Sequence, residues 1–275
     1  MTRAPDAIVC VENGCDPEEV AVVQSEAPNN VIVVVSQQNI GFAPAVNLGM
    51  QVAIQGGADW VLLLNNDAVV EPACLDRCLS TALARPRVAA VGPAISFADR
   101  PDLLWFAGGK ASSWFAVTRH KGLMHSASSP PPSSDTDFVT GCCMLVSVDA
   151  WQRVGAFRED FFAYYEDAEW CLRARESGWH CVYVGDVLCT HAVSVSAARS
   201  NGLSEITAYY MARNVLRFAL DSKRLERRIT RTLGVMIIWN AYFALRLMQT
   251  RKAVVTTAYI RGFLDALRGR MGPVR

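Results

Sequence analysis

The sequence predicts an α/β protein: a mainly parallel sheet flanked by helices, with a helical C-terminal extension. Three observations carry this. From residue 7 to about 95, short apolar strand-like runs alternate with stretches of helical spacing, the βαβ rhythm of a layered α/β domain. Val31–Val35 is nearly continuous in Val and Ile, as a strand covered on both faces must be. After about Ser204 the spacing is helical throughout.

The elements follow in order. Ala7–Val11 and Val31–Val35 are strands, Phe42–Ile54 has helical spacing, and Trp60–Leu64 is the third strand. Glu71–Ala84 is a helix leading to the short strand Val88–Val91. The rhythm then breaks. Residues 92–136 carry scattered aromatics and a Ser-Ser-Pro-Pro-Pro-Ser-Ser run at 128–134, the signature of a loop excursion. Phe138–Val148 resumes as a strand through Gly141, and Ala168–Ser177 is an amphipathic helix. His180–Val184 and Val187–Thr190 are short strands, and the tail reads as helices Glu205–Leu220, Leu225–Met248 and Ala253–Arg268.

Half of the 275 residues are apolar, enough for a sizeable core. The nine cysteines lack Cys-x-x-Cys spacing, which argues against a zinc site or a disulfide framework and for reduced, buried thiols in a cytosolic protein. No signal peptide opens the chain, and no apolar run reaches the ~18–20 residues of a spanning helix. The expected location is cytoplasmic, peripheral on the inner face of the membrane. The net charge of +1 hides an asymmetry. Residues 223–275 hold twelve Lys/Arg against Glu226 and Asp265, a net of +10, while the 15 basic and 24 acidic residues before them leave −9. A basic tail on an acidic body implies an anionic partner. No recognition motif accompanies the charge, so nucleic acid is excluded. Leu233–Met248, largely apolar between basic flanks, reads as an in-plane amphipathic anchor; a bundle or dimer helix is the alternative.

Two segments carry chemistry. Asp59–Asp67 is an apolar strand ending abruptly in Asn65, Asn66 and Asp67. One hundred residues later, an aromatic run delivers Glu166 and Asp167. Ligands of open α/β sheets gather outside the carboxyl ends of the strands. A hard divalent cation there takes oxygen ligands and can be shared with phosphates.

The ordered set Asn39-Ile-Gly-Phe-Ala, Asn47-Leu-Gly, Leu64-Asn-Asn-Asp67, Thr140-Gly-Cys-Cys-Met-Leu, Phe162-Ala-Tyr-Tyr-Glu-Asp-Ala-Glu-Trp-Cys-Leu-Arg173 and Tyr209-Tyr-Met-Ala-Arg-Asn214 resembles the family 2 glycosyltransferases, in particular their rhamnosyltransferase-like branch. The resemblance runs from about residue 7 to 217. It implies a GT-A fold: a nucleotide-sugar half over about 1–95, an acceptor half over about 96–204, and a basic helical region over 205–275. It further implies inverting, single-displacement transfer from a dTDP- or UDP-linked sugar to a glycan or lipid-linked acceptor, with Mg²⁺ or Mn²⁺ on the diphosphate.

Residue by residue, the resemblance puts Asp67 at the last Asp of the family's Asp-x-Asp motif. Asn65 takes the first position, which removes one ligand charge, and Asn66 lies between them. Asp167 takes the place of the general base, with Glu166 beside it to orient base or acceptor; a plain helix N-cap is the competing reading. His191, twenty-four residues on, corresponds to a metal ligand in related enzymes, or is structural. Asn39, Gly41 and Asn47 resemble the segment that closes over the nucleoside; alternatively, Asn39–Gly41 is only the turn and cap that begin the Phe42–Ile54 helix. Glu12 and Asn13 stand where relatives have an Asp-Asn pair reaching the base. Arg213 pairs either with phosphate or with a surface acid. Gly141 marks a close approach of backbone to donor sugar or acceptor. Trp170 and the aromatics Phe161 to Tyr165 are an acceptor platform or core.

Relatives also begin with a strand and helix ahead of Ala7–Val11 that this sequence lacks, which implies a mis-called start, a truncated reading frame or a degenerate protein. The alternative function is accordingly a catalytically impaired scaffold in a membrane glycan-assembly complex. A nucleotidyltransferase of similar topology ranks below both, because no Gly-rich phosphate loop lies near the start.

Overall fold

A computed structural model describes residues 3–112, 114–115, 117–193, 204–222, 224–250 and 253–274. Strands β1 (Ile8–Asn13) and β2 (Val31–Ser36), joined through helix α1 (Pro17–Glu26), pair in parallel as a two-stranded sheet of their own. The signal for α1 is Pro17 followed by Glu18 and Glu19, where a fixed φ and negative charge suit a helix N-terminus. Helix α2 (Phe42–Gln55) packs on β1 and on β3 (Trp60–Leu64), joining this pair to the main sheet.

The chain continues through β4 (Ala68–Val70), α3 (Cys74–Leu83), β5 (Val88–Phe97), β6 (Leu104–Phe106), β7 (Gly109–Ala111), β8 (Thr118–His120), β9 (Ser134–Asp135) and β10 (Cys143–Ser147). Then come α4 (Val148–Val154), a 3-10 turn at Glu159–Phe161, α5 (Glu166–Glu176) and β11 (His180–His191). The main sheet is ordered β3-β10-β5-β11-β4, with β6 on β5 and β9 on β11. Strand β5 is buried at all ten positions and forms the centre of the core. Each large side chain buried there, such as Ile95 or Phe97, contributes roughly 1.5–3 kcal/mol of transfer free energy.

The expected mainly parallel sheet is mixed. β5 and β11 are parallel, but β10 runs antiparallel to both β3 and β5, and β4 antiparallel to β11. The cause is connectivity. The excursion after β5 leaves the sheet at its carboxyl end and re-enters at Cys143 from that same end, so β10 must descend. A short turn likewise reverses the chain between β3 and β4. The excursion itself holds four short strands, β6 to β9, rather than none, with β7 and β8 forming a small antiparallel pair.

After the main sheet come α6 (Glu205–Leu220), α7 (Leu225–Gly234), a π turn at Val235–Trp239, α8 (Asn240–Thr250) and α9 (Ala253–Leu267). The single helix expected at Leu225–Met248 is thus α7 and α8 interrupted by a π turn. Helix α6 packs along α9 at close range: a Cβ on Gly262 would lie 2.1 Å from the Tyr209 carbonyl, so only glycine allows this approach. Among the described residues, no helix is long and apolar enough to cross a membrane. No cysteine is in a disulfide; Cys10 and Cys15 are half-buried and the other seven are buried.

Candidate active site

The carboxyl end of β3 meets the start of β10. Leu64 pairs with Cys143, and the Asn65 amide donates to the Cys142 carbonyl at 3.0 Å. The Ala68 amide closes a turn onto the Asn65 carbonyl at 3.1 Å, leaving Asn66 and Asp67 at its exposed tip. The turn sets the chain down as β4 against the last residues of β11, with Ala68 opposite His191. Bulges between Val184 and Cys189 re-aim the end of β11, so that His191 Nε2 lies 3.1 Å from Asp67 Oδ1. The Asp67 side chain is 47% exposed, whereas that of His191 is 6% exposed. Trp105 packs edge-on against the imidazole, with ring centroids 4.5 Å apart. His191 Nδ1 meets no partner among the described residues.

The second acid pair arrives on a strained loop. Phe162, Tyr164 and Tyr165 have φ of 65°, 68° and 82°. Left-handed backbone at a bulky residue costs of order 1–3 kcal/mol each and needs surrounding structure to hold it. Helix α5 then starts at Glu166, two residues before the expected boundary, which puts Asp167 in its first turn rather than at the N-cap. The Asp167 carboxylate accepts from the Gly141 amide at 2.9 Å and from the Ala168 amide at 2.6 Å. Burial pushes its pKa up, opposed by those amides and by the Thr140 hydroxyl. Glu166 is buried, and burial beside Asp167 pushes its carboxyl up to about 8. Its Oε2 meets no partner among the described residues. Glu169 is raised by burial and restrained by Arg173, which binds it at 2.7 Å.

The two segments therefore hang on neighbouring residues, Asn65 on Cys142 and Asp167 on Gly141. A Cβ on Gly141 would stand 3.1 Å from the Phe42 ring and 3.8 Å from Asp167 Cβ. The close approach expected at Gly141 is to Phe42 and the second acid. Cavities of about 290 and 310 Å³ lie at the other end of the strands, around Trp60, Arg85 and Trp179 and around Asp135, Arg175 and His180. Neither is lined by the acid pairs.

The remaining candidates fall into three groups. Asn13, Asn39 and Gly41 come together: Asn13 Nδ2 donates to the Gly41 carbonyl at 3.1 Å, and the Ile40 amide donates to Asn13 Oδ1 at 2.9 Å. Gly41 has φ 99°, and a Cβ there would lie 2.6 Å from the Phe162 carbonyl, so glycine is required where this turn abuts the second acid loop. Glu12 stands beside them, its carboxylate accepting from the Cys15 thiol at 2.9 Å and the Cys10 thiol at 3.3 Å. Asn47 ties α2 to the segment before the loop, donating to the Phe157 carbonyl and to Glu159, each at 3.0 Å. Arg213 is fully buried on α6, and its guanidinium donates to main-chain carbonyls of residues 160, 161 and 272. Trp170, Phe161 and Tyr165 are core; Tyr164 is 42% exposed. Trp105 was not singled out by the sequence, where nothing ties it to His191.

An exposed carboxylate beside a buried imidazole, and a second acid pair of buried Glu166 and half-buried Asp167, stand at one carboxyl edge of an α/β sheet, the arrangement of a candidate enzyme site. The chain belongs to the family described as glycosyltransferase like family 2, whose sequence profile matches residues 3–215. It is a glycosyltransferase of GT-A fold. The N-acetylglucosaminyl-diphospho-decaprenol L-rhamnosyltransferase of Mycobacterium tuberculosis is 28% identical over 225 residues, covering 72% of this chain and 70% of the relative. The dTDP-rhamnosyl transferase RfbF of Shigella flexneri is 24% identical over 248 residues, covering 86% and 78%. Among solved structures, GalNAc-T7 with UDP, GalNAc and Mn²⁺ superposes with a TM-score of 0.55 at 12% identity over 88% of this chain. The chain spans about half of that protein, 53%.

Proposed function

We propose that this protein is an inverting transferase that moves a sugar, rhamnose by the names of its relatives, from a dTDP- or UDP-linked donor to a hydroxyl of a glycan or lipid-linked acceptor. The observation that carries this is the pairing of unlike acids on adjacent residues, Asp67 through Asn65 on Cys142 and Asp167 on Gly141. The nucleotide half spans about 1–95, the acceptor half about 96–204 and the basic helical region 205–275.

Asp167 accepts the proton of the acceptor hydroxyl while that oxygen attacks the sugar's anomeric carbon. The bond to the diphosphate breaks on the opposite face, and its electron pair leaves with the phosphate. Glu166, protonated below about 8, keeps a second negative charge away from the base and orients it. The leaving diphosphate faces Asp67 and His191. Their oxygen and nitrogen donors, 3.1 Å apart at an exposed edge, fit Mg²⁺ or Mn²⁺, although among the described residues no third His, Cys, Asp or Glu joins them. Asp67 and His191 would hold a divalent cation there, and it would supply Lewis-acid stabilisation of the leaving group. Asn13, Asn39 and Gly41, with Glu12 beside them, flank the nucleoside, and Asn65 and Asn66 the diphosphate. Asn47 acts on the donor side by fixing α2.

The acceptor class bears on the C-terminal helices. Leu225, Ile229, Leu233, Ile237, Leu245 and Met248 are each at least 51% exposed along α7, the π turn and α8. Exposed Arg224 and Arg228 flank this apolar stripe, Arg261 lies on α9 and Arg268 just past its end, in a region of net charge +10. Such a stripe matches the inner face of an anionic bilayer, where a polyprenyl-linked acceptor would be found. Co-sedimentation with phosphatidylglycerol vesicles, weakened by Ile237→Glu, is the expected result; equal recovery with neutral vesicles and with the variant would count against it.

The testing experiment incubates purified protein with dTDP-rhamnose, Mn²⁺ and a polyprenyl-diphosphate N-acetylglucosamine acceptor. Metal-dependent transfer with an inverted anomeric centre is expected. A folded protein that neither transfers nor hydrolyses any nucleotide sugar would contradict the proposal and favour the scaffold reading.

A further inference from the structure

We propose that Arg213 and Asn214 are positioning residues: from full burial on α6 they hold the left-handed 160–165 segment in the one shape that presents Asp167. The inference rests on Asp167 being the base.

Asn214 Nδ2 donates to the carbonyls of Phe161, Ala163 and Tyr164 at 3.0, 2.8 and 2.7 Å. Arg213 donates to the carbonyls of Phe161 at 2.7 Å and Asp160 at 3.3 Å, and to that of Gly272. Its Nε donates to Asn214 Oδ1 at 3.0 Å, which fixes the amide so that its NH₂ faces the loop. The two side chains therefore act as one clamp, and both are 0% exposed. The guanidinium is fully buried, and four of its five N–H donors are spent on these oxygens rather than on a ligand.

The loop is gripped from its other side as well. The Phe162 carbonyl turns away from α6 and accepts from the Phe42 and Ala43 amides at 2.6 and 3.3 Å. The Phe162 ring stacks on Tyr210 of α6, with centroids 5.1 Å apart and planes 15° apart. Three left-handed residues make this alternation of carbonyl directions possible, and each inward carbonyl needs a buried donor. Asp167 follows Tyr164, the last clamped carbonyl, by three residues, while its own amide partner Gly141 belongs to another segment. Where the loop sits thus decides whether the carboxylate meets Gly141. The Gly272 amide also donates to the Asp160 carbonyl at 3.0 Å, so the C-terminal tail enters the same assembly. Lysine in place of Arg213 would lose the fork that serves four acceptors at once.

The test compares Asn214→Ala and Arg213→Lys with Thr207→Val, which removes only exposed hydroxyl contacts, to Tyr164 of this loop and to Ser204. In the full chain, we expect Asn214→Ala to lower kcat for Mn²⁺-dependent dTDP-rhamnose turnover at least tenfold, with KM within threefold. The acid limb of the kcat–pH profile should move down by half a unit or more as water reaches Asp167. Amides 162–167 should exchange at least ten times faster, and Thr207→Val should leave all three readouts unchanged. A fall in thermal stability with kcat per folded molecule, pH profile and exchange unaltered would overturn the proposal. If Asn214→Ala does not fold, the same readouts on Arg213→Lys decide it. Full turnover in Asp167→Asn would instead sink the base assignment; unchanged exchange of 162–167 in the clamp variants would then still reject the clamp.

Discussion

Asp67 lies at a turn tip with nearly half its side chain exposed and, among the described residues, His191 as its side-chain partner. Asp167 lies at a helix start behind three left-handed residues, its carboxylate held by two amides and its neighbour Glu166 buried without a partner for one oxygen. On the proposed reading, the same side-chain chemistry serves opposite tasks. An exposed carboxylate beside an imidazole can share a cation with a mobile ligand. A desolvated carboxylate binds a proton more readily than its free counterpart, as a base must. The division predicts that binding and turnover are lost separately.

The largest effect that would break or sharpen this contrast is on turnover. Asp167→Asn should lower kcat by about 10²–10⁴-fold while the affinity for dTDP with Mn²⁺ stays within a few-fold, read by steady-state kinetics and calorimetry. Asp67→Asn should do the converse, weakening Mn²⁺-dependent dTDP binding by at least about tenfold and leaving metal-free binding unchanged. Equal losses of binding in both variants would erase the distinction.

A third test uses pH and needs no substrate. The folded-state pKa of Glu166, about 8, exceeds its ordinary 4.5, so the folded state holds this proton more tightly than the unfolded chain. The associated stability is fully present below the unfolded value and is lost as pH rises through the folded one. Tm should therefore fall by several degrees between about pH 5 and 8, and Glu166→Gln should flatten that slope. A slope unchanged in the variant would show that Glu166 is not the group responsible. The smallest effect is structural: Gly41→Ala, at φ 99° and against the Phe162 carbonyl, should cost about 1–3 kcal/mol in chemical unfolding.

The contrast also separates what the sequence could disclose. The end of β3 was legible because an apolar run gives way to Asn65-Asn66-Asp67 at one residue, and the strand is Trp60–Leu64 as read. Helix α6 matches its spacing at both ends, Glu205 and Leu220. Other boundaries failed where a local signal had a tertiary cause. Gly92-Pro93 reads as a stop, yet β5 runs through to Phe97; a Cβ at Gly92 would lie 2.2 Å from Val139, so the glycine serves packing. Gly185-Asp186 likewise reads as a break between two strands but is a bulge within β11. Left-handed backbone at three aromatics has no sequence signature, because propensity disfavours it everywhere. Arg213 and Asn214 were visible as a motif, but their task depends on carbonyls some fifty residues away.

The most direct test of the two-acid account is one calorimetric series: dTDP titrated, with and without Mn²⁺, into the unaltered protein, Asp67→Asn and Asp167→Asn. The account predicts metal-dependent binding in the unaltered protein and in Asp167→Asn, and its loss in Asp67→Asn alone. Metal-independent binding of equal strength in all three would contradict it.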